Sequence, residues 1–508
     1  MSWRSGGIVG VKILMATSEA VPFAKTGGLA DVCGALPLEL QRLGHQVSVI
    51  MPAYRSVFQA GVSIEPVGIP LSIPIGRNMV AGRLLRGRFP GADLPVYFVE
   101  QPRYFDRDNL YQVGGKDYPD NCERFVFFNR AVMEAVRLME LDVDILHCND
   151  WQTGLVPAYH KIEYRSVPQF ERAASIITVH NLSYQGMFWH WDMLLTGLDW
   201  KYFNWHQMEF FGQLNLLKTG LVFADAINTV SPRYADEIQI APLGSGLEGV
   251  LQQRRNVLSG IMNGVDYSQW DPQTDTNLPV KYGPTNVREG KAKCRAALQQ
   301  EFGLPRDNGG APVLAFVGRL AEQKGIDLIT PAIAEWVQSS NVQWVILGTG
   351  EPKYQEQLQT LAQRHPQKVA VKFEFSERLA HLIEAGADMF LMPSRFEPCG
   401  LSQLYSLRYG TVPVVRATGG LVDSVTNATD ETLAAGTATG FSFHDYSSFA
   451  LSETLRRAVG LFAKPDVWNR IVAAGMQQDW SWARSAKQYI ALYEQTLGRV
   501  RSGQTAKV

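Results

Sequence analysis

The chain repeats one grammar through both of its halves. A short run of consecutive apolar residues comes first, then a turn rich in glycine and charge, then a longer stretch with apolar residues three or four apart. Uniformly apolar strands alternating with amphipathic helices are satisfied by a parallel sheet covered on both faces. In the N-terminal half, strands are expected at Lys12–Ser18, Gln46–Pro52, Leu94–Val99, Val143–Cys148 and Ser175–His180, with Cys122–Met139 among the intervening helices. In the C-terminal half, strands are expected at Pro312–Val317, Trp344–Leu347, Val369–Phe375, Met389–Met392 and Val412–Val415. Helices there run from about Ile326, over Tyr354–Arg364 and Glu377–Ala385, and from near Leu401. The fold class is therefore α/β: two doubly wound, Rossmann-like domains facing a central cleft at the carboxyl ends of both sheets, where such sheets bind ligands. The pattern is interrupted near Leu251–Gly264, where the boundary between halves is placed, and Pro37 is expected to kink or break the first helix.

Composition removes several alternatives. A chain of 508 residues with 46% apolar content fits two or three domains with large cores. Lys+Arg 48 against Asp+Glu 49 leaves no basic excess for nucleic acid or for an anionic membrane. Cys33, Cys122, Cys148, Cys294 and Cys399 are odd in number and scattered. They read as reduced thiols of a cytoplasmic protein, not as a disulfide framework or a metal site. The N-terminal apolar stretch is broken by Lys12 and Glu19, so it reads as a first strand and not as a signal peptide. No apolar run reaches transmembrane length. Asp142-Val-Asp144 resembles a metal-binding pair, but it opens a strand, away from the inferred cleft, and is taken as chance.

The unusual polar clusters fall just after strands. Lys25-Thr-Gly27-Gly28-Leu-Ala-Asp31 puts a cation and two glycines at a helix start, which suits an anionic or strongly polar ligand. Simple turn chemistry is the plain alternative, and the stretch is neither G-x-G-x-x-G nor a Walker loop. Arg319 and Lys324 follow a strand of the second half and suit a departing diphosphate, or else a solvated loop. Glu397-Pro-Cys399-Gly400-Leu401 leads a carboxylate and a thiol into a helix start; Glu397 can accept from sugar hydroxyls, and Cys399 is read with its motif as a ligand contact. Thr418-Gly419-Gly420 offers another close backbone approach. His180 ends a strand and is placed to hydrogen-bond a substrate hydroxyl, while Asp150 either binds substrate or caps the next helix. Nine aromatics between Phe188 and Phe211 are expected to be mostly core, with a sugar contact for two or three at most.

Taken together and in order, these motifs resemble those of bacterial glycogen synthase and plant starch synthase. The markers are Lys25–Asp31, Thr178-Val-His-Asn-Leu182 with Tyr184-Gln-Gly186, Thr229-Val-Ser-Pro232, Asn263-Gly-Val-Asp266, Gly318-Arg-Leu with Glu322-Gln-Lys-Gly325, Pro393–Gly400 and Thr418-Gly-Gly-Leu421. The resemblance spans about Lys12 to Leu497. It implies a GT-B glycosyltransferase that moves glucose from ADP-glucose to the non-reducing 4-hydroxyl of an α-1,4-glucan such as glycogen, with retained anomeric configuration. It implies that Lys25, Arg319 and Lys324 hold the diphosphate, that Glu397 holds glucose hydroxyls and that His180 contacts the sugar near the reacting carbon. Gly27, Gly28, Asp31, Asp150, Asn263, Phe375, Cys399, Gly400, Leu401, Thr418, Gly419 and Gly420 complete the expected binding set, with no metal and no cofactor. The division it implies is a leader at 1–10, domains at 11–257 and 258–482, and a last helix at 483–500 that crosses back to the first domain. Oligomeric state stays open.

Two departures stand out. Position 149 is Asn where many members have His, so that residue is not essential to the chemistry; position 375 is Phe where Tyr is expected beside the adenine. No residue of the set is an obvious nucleophile opposite the leaving group, which favours departure and attack on one face. The rivals are a UDP-glucose or small-acceptor transferase of the same fold, and a glucan-binding protein that has lost catalysis; the charged positions of the motif are all intact. A dehydrogenase is disfavoured by the missing G-x-G-x-x-G.

Overall fold

The computed structural model describes residues 10–307 and 309–503; of the leader expected at 1–10, all but Gly10 lie outside them. Two compact units result. One comprises the chain up to Val230, Ala235–Gly264 and the chain from Trp482 on; the other comprises Ser231–Tyr234 and Val265–Ser481. The division falls later than position 257 because the strand Leu258–Gly260 pairs with Ala226–Thr229 and so completes the first sheet.

The first unit holds a nine-stranded sheet. Its parallel part runs, in spatial order, Leu258–Gly260, Ala226–Thr229, Ala174–Val179, Ile145–Asn149, Lys12–Ala16, Gln46–Pro52 and Pro95–Glu100. Beyond it lies an antiparallel hairpin, Asn78–Arg88 and Glu65–Ile75, so the sheet is mixed and not purely parallel as expected. Along Glu65–Ile75 one face packs inward through Leu71, Ile73 and Ile75 while Pro66, Pro70 and Pro74 point to solvent. Proline cannot donate to a ladder, and this strand is the outermost one, where that loss is harmless and blocks further pairing.

The helix Gly28–Arg42 is not broken by Pro37, which is buried on its apolar face with Cys33, Leu36 and Leu40. Packing on four neighbouring positions outweighs one missing backbone bond. The last helix, Trp482–Arg501, belongs to the first unit. Its Tyr493 hydroxyl hydrogen-bonds His147 Nδ1 at 2.8 Å, and its Tyr489 hydroxyl accepts from Asn228 at 3.1 Å. The Asp142/Asp144 pair has a structural use: Asp142 pairs with Lys12 at 2.7 Å, and Asp144 accepts from the Lys12 amide at 2.9 Å and pairs with Arg501.

The second unit holds six parallel strands in the order Val369–Lys372, Gln343–Leu347, Val313–Val317, Met389–Met392, Val412–Arg416, Phe441–Phe443. Successive residues of one strand serve opposite cores: Leu314 and Phe316 join one cluster, Val313 and Ala315 the other. That two-sided burial is why Val313–Val317 and Met389–Met392 are apolar at every position.

Candidate functional site

In the first unit the chain winds outward in opposite directions from the neighbouring strands Lys12–Ala16 and Ile145–Asn149. Ligands of doubly wound sheets bind at the carboxyl edge of such a switch. Lys25, Thr26, Gly27 and Gly28 are exposed in the loop beyond Lys12–Ala16, and Lys25 Nζ pairs with Asp31 at 2.6 Å. The helix start is less open than expected. The buried Glu19 carboxylate accepts from the Thr26 hydroxyl at 2.6 Å, from the Gly27 amide at 3.3 Å, from the Tyr111 hydroxyl at 2.7 Å and from the Thr26 amide. Glu19 thereby fixes the loop, and Gly28 and Leu29 become the amides to consider for an anion. The motifs of the sequence give Glu19 no role, though its place just past a strand end is a usable signal.

Asp150 follows Ile145–Asn149 with φ 55° and ψ −171°, a backbone region that costs a non-glycine residue about 1–3 kcal/mol. Its side chain does not cap the turn that follows, which removes the capping alternative. Instead the carboxylate accepts from the His180 amide at 2.7 Å and from the Asn181 amide. Burial raises its pKa to about 7; Glu19 adds to the rise and the two amides oppose it. The His180 imidazole has Nε2 3.0 Å from Asn149 Oδ1. Burial of the ring, with His147 nearby, lowers its pKa to about 3, so it is neutral at physiological pH. Asn263 is buried, and among the described residues its carboxamide oxygen has no partner. An orphaned buried acceptor costs about 1–3 kcal/mol, which a ligand hydroxyl would recover.

In the second unit the switch lies between Val313–Val317 and Met389–Met392. The loops beyond those two strands are joined by ion pairs: Arg395 pairs with Glu322 at 2.6 Å, and Lys324 Nζ donates to Glu397 Oε2 at 2.7 Å. Ser394 Oγ donates to the same oxygen at 3.0 Å, and Glu397 is buried. The amide of Gly420 donates to the carbonyls of Glu397 and Pro398, so Thr418–Gly420 lies backbone to backbone against the Glu397 loop. Thr418, Gly419, Gly420 and Cys399 are buried; the Cys399 and Gly400 carbonyls accept from Gln403, and Leu401 precedes the helix Ser402–Tyr409. Arg319 is exposed and donates to Gln323 at 2.8 Å.

Two expectations are corrected. The strand expected to end at Phe375 stops at Lys372, so Phe375 stands in the loop beyond it, 90% exposed, before a helix capped by Ser376. The aromatic segment is not mainly core. Trp189, Trp191, Trp200, Trp205 and Phe211 are exposed, Phe188, Tyr202 and Phe203 are half-buried, and Phe210 alone of the nine is buried. The segment lies in short turns with little regular structure, and that leaves bulky rings without a facing layer. Among the described residues no three His, Cys, Asp or Glu side chains gather as a metal would need, and no helix is long and apolar enough to cross a membrane.

The profile of the starch synthase catalytic domain matches residues 12–253, and that of glycosyl transferases group 1 matches residues 300–466. The structure is similar to the catalytic domain of starch synthase IV from Arabidopsis thaliana bound to ADP and acarbose, with TM-score 0.88 and 31% identity over 96% of this chain and 100% of that one. These likenesses define a glycosyltransferase of the GT-B fold. Relatives include the glycogen synthases of Rhodopirellula baltica, 45% identical over 97% of this chain and 100% of the relative, and of Syntrophotalea carbinolica, 46% identical over 96% and 99%. The chain belongs to the glycogen synthase and starch synthase family.

Proposed function

We propose that the protein elongates an α-1,4-glucan by moving glucose from ADP-glucose to the non-reducing 4-hydroxyl, with retention, in the cytoplasm and without a metal ion or other cofactor. The observation that carries this reading is the Lys324–Glu397 pair at 2.7 Å. It brings a cation suited to a diphosphate into contact with a carboxylate suited to sugar hydroxyls. The ADP and acarbose bound by the starch synthase IV relative support an adenine nucleotide and an oligosaccharide as the two ligands.

In this reading Arg319, Lys324 and Lys25 take the charge that develops on the leaving diphosphate, and preorganised charge of that kind usually lowers such a barrier more than any other single effect. The amides at Gly28 and at the start of Ser402–Tyr409 add helix-end dipoles. Glu397 accepts from glucose hydroxyls while Lys324 and Ser394 hold one of its oxygens and orient it, and so it is not free to attack carbon. His180 and Asn263 meet further hydroxyls. Retention then follows from departure and attack on the same face, the leaving phosphate oxygen accepting the proton of the attacking 4-hydroxyl. Phe375 offers a face to the adenine. Five buried cysteines, none in a disulfide, support a reducing compartment.

The test is incorporation of labelled glucose into glycogen from ADP-glucose and from UDP-glucose, each with and without chelator. ADP-glucose should be the better donor and chelator should leave the rate unchanged. Preference for UDP-glucose, or strict need for a divalent ion, would overturn the reading.

A further inference from the structure

We propose that Asn149 is a positioning residue that fixes the tautomer of His180, so that the imidazole offers Nδ1 as an acceptor to a substrate hydroxyl. The proposal rests on the reading above that His180 meets a sugar. Asn149 is the last residue of Ile145–Asn149 and is buried. Its side-chain nitrogen donates to the Ala16 carbonyl at 3.1 Å. A carbonyl can only accept, so the nitrogen of the carboxamide must face Ala16 and the oxygen must face the other way.

That oxygen lies 3.0 Å from His180 Nε2. A carboxamide oxygen cannot donate, so Nε2 has to carry a hydrogen. Burial keeps the ring uncharged, so this is its only ring hydrogen, and Nδ1 keeps its lone pair. The surrounding titratable groups do not compete for the ring. Asp150 engages the His180 backbone amide, His147 is bonded through both nitrogens to Tyr493 and Thr178, and Glu19 holds the Thr26–Gly27 loop. Among the described residues Nδ1 has no protein partner, and His180 keeps part of its surface open. The ring therefore reads a hydroxyl by its hydrogen. The absence of an essential group at position 149, expected from the sequence, concerns the chemistry itself; the arrangement here gives the side chain a role one step removed.

The experiment is two-bond 15N–1H correlation on the full chain labelled with 15N-histidine, the His180 signal being identified by its loss in His180→Gln. The wild type should show a single Nε2–H tautomer between about pH 6 and 8, well above where the buried ring would protonate. Asn149→Ala should show mixed tautomers and a kcat/KM lower by about tenfold, the worth of one hydrogen bond. Asn149→Asp loses the bond to the Ala16 carbonyl and with it some stability, but keeps an acceptor opposite Nε2 and should restore the single tautomer and recover activity relative to Asn149→Ala. An Nδ1–H or exchanging signal in the wild type overturns the proposal, even if neither Asn149 variant folds; so does a pure Nε2–H signal in folded Asn149→Ala. Unchanged activity in His180→Gln would instead overturn the underlying reading of His180 as a sugar contact, whatever the tautomer proves to be.

Discussion

Two glycine pairs at strand ends look alike in sequence and exist for different reasons. In Thr418-Gly419-Gly420 the fold itself demands them. A Cβ at Gly419 would collide with the Glu397 carbonyl, one at Gly420 with the Cys399 carbonyl, and Gly419 has φ 46°. In Lys25-Thr-Gly27-Gly28 a Cβ at either glycine would meet nothing within 4 Å, and Gly27 at φ −158° is extended backbone open to any residue. Packing within the chain supplies no reason for glycine there, whereas a ligand laid against the backbone supplies one. The candidate site residues of the two units differ in the same way. The second unit carries a preset ion pair on loops locked backbone to backbone, while the first carries a neutral imidazole, an orphan carboxamide oxygen and a helix start partly occupied by Glu19.

The largest test of that contrast is Glu397→Ala. If the second unit stabilises charge in the transition state, kcat should fall by about a hundredfold or more with little change in KM, since one such contact is worth roughly 3 kcal/mol. A folded variant with near-normal kcat would move the chemistry elsewhere. The glycines come next. Gly420→Ala should destabilise the protein by about 2 kcal/mol or more, read as a lower melting temperature. Gly28→Ala should leave melting unchanged and raise the donor KM by about tenfold. A melting loss at Gly28, or none at Gly420, would erase the distinction.

The candidate site of the first unit also carries a group that titrates near neutrality. Asp150 titrates at about 7, raised by burial, so the carboxylate is protonated below that value and ionised above it. If the ionised form is the one that works, kcat/KM at about pH 6 should lie about tenfold below the plateau it reaches above about pH 8. Asp150→Asn keeps an acceptor for the His180 amide but cannot titrate, so its lower activity should lose this limb. A limb that persists in Asp150→Asn belongs to another group.

How far the sequence reaches follows the same physics. Strands buried on both faces announce themselves, and Met389–Met392 and Gln46–Pro52 are legible to the residue. The hairpin at 65–88 escapes because its three prolines read against a strand, although its alternating Leu71, Ile73 and Ile75 and its tight 76–77 turn are both visible. Phe375 reads as the end of a strand because Val371, Phe373 and Phe375 alternate with Lys372 and Glu374; only pairing with Gln343–Leu347 decides where the strand stops. The candidate site is legible wherever position after a strand carries it, as at His180, Asp150, Arg319 and Glu397. It is not legible where a residue acts through another: Ser394 on Glu397, Glu19 on the Thr26–Gly27 loop and Asn149 on His180. Such pairings depend on register between distant strands, and no local spacing encodes them.

The smallest effect expected is at Phe375, and it separates a surface ring that binds from one that is merely exposed. At 90% exposure the side chain contributes little to folding, so a core role no longer competes with stacking on the adenine. An aromatic face on a base is worth about 1–3 kcal/mol, and the low end applies to a ring open to water whose replacement keeps apolar bulk. Phe375→Leu should therefore raise the ADP-glucose KM by about fivefold while kcat and melting temperature stay put. Phe375→Tyr, which keeps the ring, should behave as the parent. The contrast with Gly28 then sharpens: one loop admits the donor by leaving a side chain out, the other by holding one up. An unchanged donor KM in Phe375→Leu would leave Gly28 as the expected donor contact and take Phe375 out of the site.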